Sequence, residues 1–155
     1  MELDDLDRKI LTLVQRDARL TAGQIGERVG LSASAAHRRL QRLWRARVIE
    51  AQVAVVDPKS AGRPLVMIVG LEIERERPED LHELKRWLSA EPAVQQAWYV
   101  TGDADFTLVI TARDTEDYDA FMQRLVAENR NVRKFKTSVV LSTLKRGLSV
   151  PVEGE

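Results

Sequence analysis

The sequence predicts an α+β protein in two parts, and two observations carry this prediction. The first part contains three short apolar-periodic segments with a glycine turn, and the second alternates strand and helix in the order βαββαβ. Charge divides the chain at the same place. Residues 1–50 hold ten Lys and Arg against seven Asp and Glu, a balance of +3, whereas residues 51–155 hold fourteen against seventeen, a balance of −3. We therefore expect the two parts to have different roles.

Helical spacing and capping residues indicate the first two helices. Thr21 and Gln24 have the spacing of a capping box, in which each side chain satisfies a backbone amide of the other. Gly30 then supplies a turn and Ser32 caps a third helix. This order predicts a helix-turn-helix. The inward positions of its first two helices are Leu6, Ile10, Leu13, Ile25 and Val29.

The third helix is strongly cationic. The segment LSASAAHRRLQRLWRAR (31–47) holds five arginines and one histidine and no acidic residue, and its buried stripe is Ala36, Leu40 and Leu43. An isolated arginine run is more often a solvated helix face, but here a capped turn precedes it and nothing repels phosphate. Arginine can bond guanine, and glutamine adenine, in the DNA major groove. The residues predicted to bind double-stranded DNA are Ser34, Ala35, His37, Arg38, Arg39, Gln41, Arg42 and Arg45.

Three domain segments follow from composition. Residues 1–50 form a winged helix-turn-helix domain. Residues 51–64 form a strand, in which the valines favour an extended backbone, and then a linker. Residues 65–155 form a ferredoxin-like βαββαβ domain with an antiparallel sheet. Its predicted strands and helices are 65–73, 78–89, 94–100, 106–111, 115–127 and 132–144.

Both faces of the predicted sheet carry apolar side chains. In the first strand Val66 and Ile68 alternate with Met67 and Val69. Two helices cover only one face, and an uncovered apolar face of this size indicates an interface. We therefore expect a homo-oligomer, and a two-fold dimer would present two cationic helices to a pseudo-palindromic DNA site.

Several short motifs of the first part occur together in one known family. They are Leu3-Asp4, Asp7-Arg8-Lys9-Ile10-Leu11, Asp17-Ala18-Arg19-Leu20, Gly30-Leu31-Ser32, Arg38-Arg39, Val48-Ile49 and Asp57-Pro58. With these motifs the sequence resembles the leucine-responsive/asparagine-regulator (Lrp/AsnC, feast/famine) family of transcriptional regulators from the N-terminus to near Leu144. Two positions depart from the family pattern: Ala33 stands where the family usually has proline, and Arg47 where it usually has glycine, so strain is expected at this helix end.

The resemblance implies a regulator that assembles from dimers into tetramers or octamers and senses an amino acid. On its own, the segment Thr101–Asp105 is more simply a hairpin turn. In the resembled family the effector pocket is built around this Gly-Asp-x-Asp turn, between dimers and near the last strand. By that resemblance the effector-binding candidates are Tyr99, Gly102, Asp103, Asp105, Thr137 and Ser138.

Composition excludes several other classes. The chain has no cysteine, no N-terminal signal-peptide pattern and no apolar run long enough for a membrane span, so we expect a cytoplasmic protein without metal or cofactor. A tetrapyrrole decarboxylase-like enzyme on the same architecture is one alternative. Such an enzyme would need cationic or histidine side chains in the second part, but the chain has only His37 and His82 and shows no Ser-His-Asp set. We therefore expect that the protein is not an enzyme. A DNA-silent oligomerisation module is the other alternative.

Overall fold

A computed structural model of the chain describes residues 1–152. The chain divides into two compact units, of which the first is Met1–Ala54 together with the end of the chain from Lys145, and the second is Val55–Leu144. The domain predicted from the sequence, 65–155, differs in that its last part lies with the first unit, and residues 153–155 are outside the described residues. Every helix among residues 1–152 is too short or too polar to cross a lipid bilayer.

Three capped helices form the first unit: α1 (Asp5–Arg16), α2 (Ala22–Val29) and α3 (Ala33–Arg45). The side chains of Asp4, Thr21 and Ser32 each accept a hydrogen bond from a backbone amide of the first turn. Since these caps satisfy amides that have no partner within the helix, they fix where each helix begins. The predicted apolar stripes meet in one core, whose fully or nearly buried members are Ile10, Leu11, Ile25, Ala36 and Leu43.

Two glycines shape the turn between α2 and α3. Gly30 has a φ of 74°, a left-handed conformation that glycine adopts without strain. Gly26 lies against the turn so closely that a Cβ there would be 2.5 Å from the carbonyl oxygen of Leu31. Any side chain at Gly26 would therefore push α3 away from α2.

The exit of α3 is strained, as the departure from the family pattern at Arg47 predicts. Arg47 has a φ of 55° and is the only non-glycine residue with a positive φ within the described part of the chain. The Val48 amide donates to the carbonyl of Leu43, which closes a left-handed helix end. Glycine is the residue that such an end favours.

The second unit is the predicted ferredoxin-like fold. The elements follow one another as β1 (Leu65–Ile73), α4 (Pro78–Ala90), β2 (Val94–Tyr99), β3 (Phe106–Ala112), α5 (Thr115–Glu128) and β4 (Val132–Val139). The sheet is antiparallel in the order β2-β3-β1-β4, so β2 and β4 are its two edges.

Alternation along the strands divides the sheet into a covered face and an open face. The covered face holds the buried positions of β1 and β3, including Met67, Val69 and Leu108, which pack with Leu84 of α4 and Leu125 of α5. The open face carries both apolar and polar or charged side chains. Its members, inferred from the strand registers, are Val66, Ile68, Gly70, Glu72, Gln96, Trp98, Thr107, Val109, Thr111, Lys134, Lys136 and Ser138.

Two predicted strands are absent or shorter. Within the described residues no strand forms over 51–64, where Val53 and Val55 are 67% and 73% exposed, because a strand needs a neighbour for its hydrogen bonds. The last strand ends at Val139 rather than at residue 144. The Val140 amide still donates to the Val66 carbonyl, but β1 begins at Leu65, opposite residue 141, so it offers no partner to residues 142–144.

Candidate DNA-binding surface and effector-binding turn

The outer face of α3 is exposed because the opposite face is anchored. Ala36 and Leu43 are completely buried in the core of the first unit, and these two positions fix the rotation of the helix. Ala35 and Arg39 are half-buried at the boundary. The predicted DNA-binding residues that lie exposed on the outer face are Ser34, His37, Arg38, Gln41, Arg42 and Arg45.

A shallow concavity of about 660 Å³ runs along this outer face, lined by His37, Arg38, Gln41, Arg42, Arg45 and Ala46. Gln41 and His37 are hydrogen-bonded across one helical turn, with 3.3 Å between Nε2 atoms. Among residues 1–152, no side-chain hydrogen bond or ion pair engages Arg38 or Arg45. The donors of these two guanidinium groups are therefore available to an outside partner.

Arg39 and Arg42 have intramolecular partners instead. Arg39 Nη1 donates to Asp4 Oδ2 at 2.7 Å and to Asp7 Oδ1 at 2.9 Å, and Arg42 Nη2 donates to Asp7 Oδ2. The Asp7 side chain is completely buried, so it depends on these two arginines for its charge compensation. We name the four residues Asp4, Asp7, Arg39 and Arg42 the α1–α3 ion cluster. The cluster connects α3 to the start of α1.

The ion cluster affects the acidity of its exposed member. The hydrogen bond from Arg39, together with one from the Asp7 amide, lowers the pKa of Asp4 from its ordinary 3.8 to about 2. The hydrogen bonds to the carboxylates of Asp4 and Asp7 raise the pKa of Arg39. Both groups therefore stay charged throughout the neutral range.

The predicted effector turn joins β2 to β3. Gly102 has a φ of 119°, which favours glycine, and Asp103 is exposed. Asp105 is held within the fold, because its carboxylate accepts a hydrogen bond from the Ile73 amide at 2.8 Å and its own amide donates to Leu71. The two acids of the turn thus differ: Asp105 fastens the turn to β1, and Asp103 faces solvent.

The turn lies close to the open face of the sheet. A Cβ built on Gly70 of β1 would be 3.1 Å from the Cβ of Ala104. This approach is possible because both residues are small. A larger side chain at either position would lift the turn from β1.

The remaining effector candidates lie on the two opposite edges of the sheet. Tyr99 is on edge strand β2, with its ring 5.0 Å from that of Phe106 and the Lys85 ammonium 4.7 Å from its centroid. Thr137 and Ser138 are on β4, the opposite edge, and Thr137 is hydrogen-bonded to the Tyr118 hydroxyl. Three strand spacings of about 4.8 Å separate the edges. One small ligand therefore cannot contact β2 and β4 of the same chain together.

A helix-turn-helix with an exposed cationic third helix, followed by a ferredoxin-like unit, defines a DNA-binding protein of the helix-turn-helix class. The sequence matches the winged helix-turn-helix DNA-binding family over residues 3–50. Residues 66–150 match the Lrp/AsnC ligand binding domain. The chain belongs to the Lrp/AsnC family of transcriptional regulators.

Relatives and solved structures agree with this assignment. An uncharacterized HTH-type transcriptional regulator of Sinorhizobium fredii is 44% identical over 99% of this chain and 90% of its own length. An AsnC family transcriptional regulator from Agrobacterium tumefaciens has a TM-score of 0.90 at 29% identity, covering 96% of this chain and 97% of that one. A Neisseria meningitidis transcriptional regulator, solved as a complex with L-Met, has a TM-score of 0.89 at 28% identity, and the alignment covers 97% of both chains.

The family consists of DNA-binding transcriptional regulators rather than enzymes. The decarboxylase-like alternative, which shares only the architecture, is not favoured. Fold alone does not assign chemistry, so the family assignment depends on matches to both units.

Proposed function

We propose that this protein regulates transcription by binding specific sites on double-stranded DNA with the outer face of α3. The observation that carries this proposal is the contrast between arginines on one helix. Arg39 is engaged by acids of α1, whereas Arg38 and Arg45 have free donors on the exposed face. Guanidinium groups without acidic neighbours are suited to bind guanine or phosphate.

The residues of the face would divide between reading bases and binding phosphate. Arg38 is exposed near the start of α3, where recognition helices contact base edges. Gln41, hydrogen-bonded to His37, would present its amide in the next turn. Arg45 lies in the last turn and would bind the phosphate backbone. Arg39 would orient the helix rather than touch DNA.

Binding measurements on three arginine variants test this proposal. Arg38→Ala should weaken binding to the specific site by about 1 to 3 kcal/mol and relax base preference. Arg45→Ala should weaken all sequences alike and lower the slope of log K against log salt by about one. Arg86→Ala, an exposed position on α4, is the control and should bind like the wild type. Specific binding by Arg38→Ala equal to the wild type would refute the proposed interface.

A homodimer formed through the open sheet face is the second part of the proposal. Ile68 and Trp98 are 45% and 47% exposed there, and the face continues with Val66 and Val109. Large apolar side chains on one open face favour burial against a second copy. Such a dimer would carry two outer helices, and dimers would assemble further into tetramers or octamers. We place its action in the cytoplasm.

Sedimentation of a charge variant tests this dimer. Ile68→Asp should give smaller species, because burying an unpaired carboxylate costs several kcal/mol. Val126→Asp is the matched control, since Val126 is 39% exposed on α5 and away from the open face. A wild-type assembly of Ile68→Asp would exclude this face as the interface.

We propose further that the effector is an amino acid bound at the Gly102 turn. Support comes from the match to a ligand binding domain and from the L-Met complex of the Neisseria relative. The exposed Asp103 carboxylate suits an α-ammonium group. Because β2 and β4 are opposite edges, Thr137 and Ser138 would reach the same ligand from another copy. A thermal-shift screen of the twenty amino acids would identify the ligand, and a screen without any shift would refute amino-acid sensing.

A further inference from the structure

The segment of residues 149–152 belongs to the first unit and contacts α1. The side chain of Gln15 binds both polar groups of one residue: its Nε2 donates to the Val150 carbonyl at 3.1 Å, and its Oε1 accepts from the Val150 amide at 2.7 Å. A side-chain amide that pairs with both groups of a peptide unit replaces the pairing that a neighbouring strand would provide. Gln15 thus holds the backbone of this segment whatever its side chains are.

An apolar contact follows two residues later. Val152 packs against the core cluster of the first unit and lines a cavity of about 430 Å³, together with Leu13 of α1 and Val29 of α2. Val150 is 65% exposed, so its side chain takes little part. Pro151 between them has a fixed φ, which keeps the segment extended at low entropic cost. One polar and one apolar contact therefore define a two-point site.

We propose that the surface between α1 and the end of α2 is a peptide-binding site, and that its occupant is the chain's own segment Ser149–Val152. Gln15 recognises the backbone, and Leu13 and Val29 select an apolar residue two positions further on. The bound segment braces α1. Since Asp4, the N-cap residue of α1, and Asp7 within it bind Arg39 and Arg42, the brace also supports the placement of α3.

The chain passes between the two units at two places. It leaves the first unit after Ala54, and it returns to the first unit from β4 through residues 140–144. A change in the second unit that pulls on the end of β4 would act directly on the bound segment. The inference stands apart from the proposed DNA binding, because the brace can be measured without DNA.

Hydrogen exchange of the full-length protein tests the site, with two variants that differ only in position. Val152→Ser should release the segment and raise exchange of the Val150 amide by about tenfold, because a small polar side chain loses the apolar contact without adding a charge beside Arg8, Lys9 and Arg28 of the same cavity. Val150→Ser, with its side chain in solvent, should leave exchange of the amide of residue 150 within about twofold of the wild type after correction for intrinsic rates. Equal exchange in the two variants would overturn the proposed selection of residue 152.

Gln15→Ala provides the second arm. It should raise exchange of the Val150 amide about as much as Val152→Ser, and the double variant should show no further increase, since both substitutions abolish one bound state. Amides of α1 should lose protection along with the segment. Unchanged α1 protection in released variants would refute the bracing role.

Exchange in β1 and β3 serves as the folding control and should match the wild type in all variants. Concentration separates the chain's own segment from that of a second copy. Protection of the Val150 amide should be independent of protein concentration, and protection lost on dilution would overturn the assignment to the same chain.

Discussion

The guanidinium of Arg39 donates to the carboxylate of Asp7 at 2.9 Å, and the Asp7 side chain has no exposed surface. The Arg39 side chain is 25% exposed, so Asp7 is the buried member of the pair and Arg39 the partly exposed one. A buried carboxylate is stable only with hydrogen-bonded partners, and here Arg39 and Arg42 provide them. Two arginines of a cationic helix are thus structural, while their neighbours remain free.

Substitution of the neighbouring residues Arg38 and Arg39 should therefore change the stability of the first unit by very different amounts. Arg39→Ala should lower the free energy of unfolding of the first unit by about 2 to 3 kcal/mol, since a buried carboxylate loses a charged hydrogen bond. Arg38→Ala should change it by less than about 0.5 kcal/mol. Trp44 fluorescence can report on this unit during urea denaturation if Trp87 and Trp98 are replaced by phenylalanine. Equal stabilities would show that the α1–α3 ion cluster contributes nothing.

Acid should weaken the ion cluster in a defined range of pH. The pKa of Asp4 is lowered from 3.8 to about 2 in the folded protein, mainly by the Arg39 hydrogen bond. A lowered pKa gives stability that is present above pH 3.8 and is lost as the pH falls towards 2. In Asp4→Asn, the pH dependence of unfolding of the first unit should be shallower in that range.

The second unit provides the control for this pH effect. The Arg113 side chain and amide lower the pKa of Asp117 to about 2, and Asp117 is far along the chain in α5. Asp117→Asn should flatten the pH dependence of the second unit and leave that of the first unchanged. If Asp4→Asn altered both units alike, the assignment of the effect to the local cluster would be wrong.

The strained exit of α3 should be relieved by glycine. Arg47 has a φ of 55°, and a left-handed conformation costs a non-glycine residue about 1 kcal/mol or more. Arg47→Gly should therefore stabilise the first unit by about 0.5 to 1 kcal/mol in spite of glycine's greater freedom in the unfolded chain. Arg38→Gly, in the interior of α3, should destabilise it by about 1 kcal/mol. The Trp44 reporter distinguishes the two signs, and a loss of stability in Arg47→Gly would contradict the strain argument.

Local patterns were enough to predict most of the fold. Capping residues and apolar spacing are properties of neighbouring residues, so the three helices, their turn and the βαββαβ order could be predicted from the sequence. The strain at Arg47 could be predicted for the same reason. The proposed strand over 51–64 was wrong because pairing needs a partner, which no local pattern reveals.

Long-range contacts account for what the sequence did not indicate. In the sequence, Arg39 is one of several arginines in a cationic helix and therefore resembles a DNA-binding residue. Its role depends on Asp7, which is 32 positions away. The acids at the start of α1 were a visible signal, yet they also fit a simple capping box, which Asp4 and Asp7 do form. Likewise, the strand order that separates Tyr99 from Thr137 is a property of the folded sheet.

The two acids of the β2–β3 turn should separate ligand binding from stability. Asp105→Ala removes the acceptor of the Ile73 amide, so it should lower the stability of the second unit by about 1 to 3 kcal/mol. Asp103→Ala removes an exposed carboxylate and should leave stability within about 0.5 kcal/mol of the wild type. If the turn binds an amino acid, Asp103→Ala should also abolish the calorimetric binding signal of the best ligand from the screen. DNA binding without ligand should be unchanged in this variant, because α3 lies in the other unit. Undiminished ligand binding by Asp103→Ala would move the effector site away from this turn.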